Sequence, residues 1–119
     1  ISLEMPQLKF MRNVVDKMKN HSPLLSLFAG NDGMLILKIK TDTAAVATYF
    51  PDLTIHQESN LEEMVSVTLD IKKFLMFLSW EAVHPDEVRC SIVKERLVYL
   101  YLNLNDNYKI HYFLPAMDM

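Results

Sequence analysis

The side chains able to do covalent or metal chemistry are few and scattered. The one cysteine, Cys90, falls inside an alternating apolar stretch, with no His or Asp spaced to activate it, so a buried structural thiol is favoured over a nucleophile. His21, His56, His84 and His111 fall in turns, a loop and a strand, without the short spacings of a metal-ligand set. Glu62 and Glu63 read as a solvated pair ahead of a strand, and Gly33 stands in a tight polar turn rather than a phosphate-cradling loop. Asn20-His21-Ser22 matches a glycosylation acceptor, but the following Pro23 argues against it. No catalytic residue, metal site or cofactor is assigned, and an enzyme is not expected.

Ionic chemistry is better represented. Residues 6–20, PQLKFMRNVVDKMKN, sort cleanly at about 100° per residue around a helix. Leu8, Phe10, Met11, Val14, Val15 and Met18 share one half of the circumference; Lys9, Arg12, Asn13, Asp16, Lys17, Lys19 and Asn20 share the other. The formal charge of the chain is −3, yet this stretch sums to +3 and the remainder to −6. A basic helical face on an acidic body is either an ordinary solvated face or a contact for a polyanion on one surface. A second apolar helix places Lys72 and Lys73 outward together with Met76, Phe77 and Trp80. Lys72, Met76 and Trp80 form an i, i+4 row, and Trp80 is expected to cover the helix end or a neighbouring chain. Aromatic and basic residues are not interleaved as base readout would need.

The elements that must position these residues follow from periodicity. Half of the 119 residues are apolar and 23% are charged, the balance of a single globular domain. No apolar run approaches a membrane span, so no membrane partner is expected. The lone cysteine fits a reducing compartment, and the start at Ile1 is expected of a piece of something longer. Residues 1–5 read as a strand, with Pro6 at the first position of the helix that runs to Asn20. Strands are expected over 24–29, 34–40 and 43–50, the first two joined at Asn31-Asp32-Gly33, and 51–63 is expected to be loop. The order then restarts: a strand over 64–69, Asp70 capping a helix over 71–82 that buries Ile71, Phe74, Leu75, Leu78 and Ala82, and strands over 87–93, 97–104 and 108–114. Two βαβββ units, 1–50 and 64–115, superimpose at an offset of 64 that brings Lys9-Phe10 onto Lys73-Phe74. The predicted architecture is α+β: one domain over 1–119, with two helices on one side of antiparallel sheets. The strand over 43–50 (Thr43, Ala44, Ala45, Val46, Ala47, Thr48, Tyr49 and Phe50) carries no charge, so it is either covered within the domain or paired with another chain.

This order resembles one domain of the sliding clamps, the rings typified by proliferating cell nuclear antigen. More closely, LKFMRNVVDKMKN (8–20), LILKIKTDTAAVATYF (35–50), LDIKKFLMFL (69–78), CSIV (90–93) and YFLPAM (112–117) are similar to the C-terminal half of the Hus ("hydroxyurea-sensitive") family of checkpoint clamp subunits. That family belongs to the heterotrimeric nine-one-one clamp. The likeness runs over nearly the whole chain, interrupted at 51–60; VVDKMKN and YFLPA are its more specific parts. It implies a non-enzymatic, nuclear ring subunit, joined to two Rad-type clamp subunits, encircling double-stranded DNA without reading sequence. It also implies loading by an ATP-driven clamp loader and service as a platform for checkpoint and repair proteins. Lys9, Arg12, Asn13, Lys17 and Lys19 would face phosphates, with Lys72 and Lys73 adding less, and Thr43 to Tyr49 would pair with the neighbouring subunit. Sliding clamps tend to carry a basic residue near the end of the second helix, where this chain has Trp80-Glu81. Two competing readings are a homotrimeric replication processivity clamp, and a peptide-binding interaction module whose basic helix only solubilises it.

Overall fold

A βαβββ order appears twice in the computed structural model, which describes residues 1–117. The first pass runs β1 (Ser2–Glu4), α1 (Leu8–Met18), β2 (Leu24–Ala29), β3 (Leu35–Lys40) and β4 (Ala45–Phe50). A short strand, β5 (Ile55–Gln57), intervenes. The second pass runs β6 (Val65–Asp70), α2 (Ile71–Leu78) extended by a 3₁₀ turn (Ser79–Val83), β7 (Glu87–Val93), β8 (Leu97–Leu104) and β9 (Tyr108–Pro115).

The strands form two sheets, ordered β5-β1-β7-β8-β9 and β4-β3-β2-β6. Each unit therefore gives its first strand to the other. β1 lies antiparallel to β7, with Leu3 opposite Cys90, and β6 lies antiparallel to β2, with Val67 opposite Leu27. Alternation within each strand sends Leu25, Leu27 and Ala29, Leu35, Leu37 and Ile39, Val65, Val67 and Leu69, and Val98, Leu100 and Leu102 to the inner face. α1 lays Leu8, Met11, Val15 and Met18 on that face, and α2 lays Ile71, Phe74, Phe77 and Leu78. All of these residues join one core, over which the two helices pack side by side.

The buried positions show that the two units superimpose at 63 residues, not 64, over the helix and the two strands after it: Leu8 with Ile71, Met11 with Phe74, Leu27 with Cys90, Leu37 with Leu100. Lys9-Phe10 and Lys73-Phe74 match as letters but not as places. Phe10 is 55% exposed, on the shoulder of the α1 stripe, with its ring edge-on to Phe50. Phe77, expected outside, is fully buried beside the Tyr112 ring, while Ala82 is exposed and Leu75 half-buried. For Phe77 the cause is its place three residues after Phe74 on the buried face of α2; for Ala82 it lies where α2 ends. The α-helix stops at Leu78, and the tighter 3₁₀ winding takes Trp80 out of the Lys72-Met76 row. Trp80 is half-buried and its indole N–H donates to the Tyr112 hydroxyl at 3.1 Å.

Several boundaries differ from the expected ones for local reasons. Pro6 precedes the helix, which begins at Leu8 after Gln7. Thr43 and Ala44 belong to a turn rather than to β4, because the Thr41 hydroxyl accepts both of their backbone N–H groups. Part of the expected loop is β5, paired with β1. Gly33 has φ +86°, and a Cβ there would lie 2.6 Å from the Leu53 carbonyl oxygen, so this turn requires glycine.

Candidate nucleic-acid interface

The outer face of the helix pair is built from short local rules. α1 begins after Gln7 with no side-chain cap and no acidic residue in its first turn, and Lys9 is its second residue. α2 begins after Asp70, whose Oδ1 accepts the backbone N–H groups of Lys72 at 2.9 Å and Lys73 at 3.3 Å. Lys9, Lys72 and Lys73 thus stand in first turns, where the helix dipole already supplies positive potential. At α1 a cation there is disfavoured by roughly 0.3–1 kcal/mol and an external anion correspondingly favoured, whereas at α2 the Asp70 carboxylate already occupies that position.

Lys9, Arg12, Asn13, Lys17, Lys19, Lys72 and Lys73 are all exposed. Two of the cations are already engaged. Arg12 Nη1 donates to Glu81 Oε1 at 3.0 Å, tying α1 to the 3₁₀ turn, and Lys19 Nζ lies 2.7 Å from Asp16 Oδ1. Lys19 holds the Asp16 carboxyl below the usual carboxylate range, by hydrogen bond first and by charge second. Among the described residues no carboxylate is within salt-bridge distance of Lys9, Lys17, Lys72 or Lys73. The uncommitted positive charge is therefore shared two and two between the helices, where the sequence pattern placed most of it on the first. These lysines can meet phosphate oxygens without first giving up a partner.

The strand assigned to a partner is an edge. β4 ends its sheet, with Val46 46% and Tyr49 61% exposed, Ala45 exposed, and Ala47 and Thr48 half-buried. Val46 follows the inner alternation of the strand, opposite Ile39, yet remains open. β9 ends the other sheet and is longer than β4 and likewise open, with Tyr108 and Phe113 exposed. The β6 edge differs: its Ser66 and Thr68 carbonyls accept the N–H groups of Glu95 and Met117 at 3.1 and 2.8 Å. Two open edges on different sheets are what a head-to-tail assembly needs.

Cys90 is buried on the inner face of β7, and burial pushes its thiol up to about 12, so it is neutral and inert near neutral pH. Sequence spacing did not reveal that Glu4, His56 and Glu87 come together, because three strands far apart in the chain deliver one each. No signal short of the β5–β1–β7 pairing could have found them.

A family model described as Hus1-like protein matches residues 1–118. The chain is 39% identical over 126 residues to checkpoint protein HUS1 of Homo sapiens, covering 99% of this chain and 45% of that protein. It is 26% identical over 119 residues to checkpoint protein Hus1-like of Drosophila melanogaster (100% and 43%) and 30% identical over 117 residues to checkpoint protein hus1 of Schizosaccharomyces pombe (86% and 40%). The chain thus spans less than half the length of these relatives. Among solved structures, proliferating cellular nuclear antigen from Entamoeba histolytica superimposes with a TM-score of 0.79 at 10% identity, over 99% of this chain and 46% of that one. At that identity the likeness is one of fold.

Proposed function

The chain belongs to the Hus1-like family, and from that premise we propose that it is the C-terminal half of a ring subunit of a DNA-damage checkpoint clamp. In this reading the ring holds two Rad-type subunits beside this one, encloses duplex DNA in the nucleus after loading by an ATP-driven loader, and presents a platform to checkpoint and repair proteins. The subunit does no chemistry of its own. The four uncommitted lysines on the helix face carry the reading: Lys9, Lys17, Lys72 and Lys73, three of them at helix starts, form a sequence-indifferent phosphate contact. The open β4 edge supports the second half of it, a joint in which the neighbouring subunit adds a strand. Family membership favours a heterotrimer over a homotrimeric replication clamp, and native mass measurement of the full-length protein alone distinguishes them, since a stable self-trimer contradicts this reading.

The direct test replaces Lys9, Lys17, Lys72 and Lys73 by Glu in the full-length subunit within its assembled ring. We expect normal assembly and weakened DNA retention, with the salt dependence of binding shallower by up to about 0.9 log units for each phosphate that is no longer neutralised. Unchanged retention and an unchanged salt slope would remove DNA from this face.

A further inference from the structure

We propose that Glu4, His56 and Glu87 form a binding site for a divalent transition-metal ion of the zinc class, at the edge of a surface pocket whose wall Glu4 and Glu87 share with Lys9. Glu4 closes β1, His56 is the middle residue of β5 and Glu87 opens β7, three strands that lie side by side. One ligand atom from each lies within 4.8 Å of the other two. All three side chains reach solvent, so an ion has a path in.

The local geometry has features of a ligand set. His56 Nε2 lies 3.6 Å from Glu4 Oε1, within ion-pair distance but too far for a hydrogen bond. Glu87 is held from behind: Arg89 directs Nε at 2.9 Å and Nη2 at 2.7 Å to the same oxygen, Oε2. That pair sets the orientation of the carboxylate and leaves Oε1 to bind, the role an outer-shell partner plays for a metal-ligating carboxylate. The Glu4 backbone is anchored as well, its N–H donating to the Thr54 carbonyl at 2.8 Å.

The donor chemistry selects the ion. One imidazole nitrogen and two carboxylate oxygens, with no sulfur, suit Zn²⁺ better than the all-oxygen preference of Ca²⁺ or Mg²⁺. Three protein ligands leave a fourth position to water. Bonds of about 2.0–2.2 Å require the ligand atoms to close by roughly 1 Å, a movement that falls to the partly exposed Glu4 and His56 because Arg89 holds Glu87. The ion offsets the Glu4 carboxylate, Glu87 being already paired with Arg89, and ties β5 to the sheet. β5 otherwise depends on two register pairs with β1, with an irregularity between Ser2 and Leu3.

The test uses the full-length protein, stripped with a chelator and titrated calorimetrically with Zn²⁺ alone. The wild type is compared with His56→Gln and Glu87→Gln, singly and together, so that misfolding of one variant does not remove the comparison. We expect the wild type to bind one more equivalent than the double variant, each single change to weaken that site at least about tenfold, and Zn²⁺ to slow amide exchange at residues 55–57 in the wild type only. Identical binding by wild type and double variant, or no binding by the wild type up to about 100 μM Zn²⁺, would overturn the proposal.

Discussion

Burial without a partner decides what Cys90 does. Its thiol is enclosed between Leu3 across the strand pair and the core, and taking a thiolate out of water raises its pKa from 9.0 to about 12. Between those two values the unfolded chain loses the thiol proton while the folded chain keeps it, so stability is fully present below pH 9 and falls as pH rises toward 12. The slope owed to this group approaches about 1.4 kcal/mol per pH unit, and Cys90→Ala should remove it from the difference between paired denaturation series at about pH 8 and about pH 10.5. The Trp80–Tyr112 hydrogen bond yields a second outcome. Tyr112→Phe keeps the ring against Phe77 but removes the acceptor of the indole N–H, and should cost about 1 kcal/mol in urea unfolding with a shift in tryptophan emission. A variant as stable as the wild type, with unchanged emission, would show that Trp80 is not held this way.

Among the elements, the exchange of first strands does most to make one domain of two similar units. Because β1 completes the sheet of β7, β8 and β9, and β6 completes the sheet of β2, β3 and β4, neither unit can bury its inner face alone. The same arrangement leaves β4 and β9 as the long open edges. Val46→Lys with Tyr49→Lys places two charges on exposed positions of β4, which should leave the thermal midpoint within a few degrees and weaken ring assembly at least tenfold by sedimentation of the mixed subunits. Much of this layout is legible in the chain. Glu87–Val93 and Leu97–Leu104 match their expected bounds because apolar alternation runs uninterrupted between polar turns. β5 was not legible, since Ile55-His56-Gln57 has no pattern of its own and becomes a strand only by meeting β1. The inner place of Phe77 was hidden for another reason: six of the eight α2 residues are apolar, and the buried arc of Ile71, Phe74, Phe77 and Leu78 is turned toward Phe77 rather than toward Leu75.

At the scale of the whole molecule, charge separates what the fold can do from what simple affinity can do. A chain of net charge −3 is repelled by DNA at long range, and four uncommitted lysines on one face do not reverse that for these 119 residues by themselves. In the proposed ring, enclosure would keep the duplex against them, and contacts that read only phosphates would leave the duplex free to slide. The lysine pattern was legible as a basic helix; its division between two helices was not, because it depends on Arg12 reaching Glu81, 69 residues away. The measurement that bears most directly on this account is retention of the assembled ring, containing the full-length subunit, on closed circular DNA before and after linearisation in moderately high salt. A ring that encloses DNA stays on the closed circle and is lost when the circle is cut. Equal retention on both forms, or equal loss from both, would contradict enclosure.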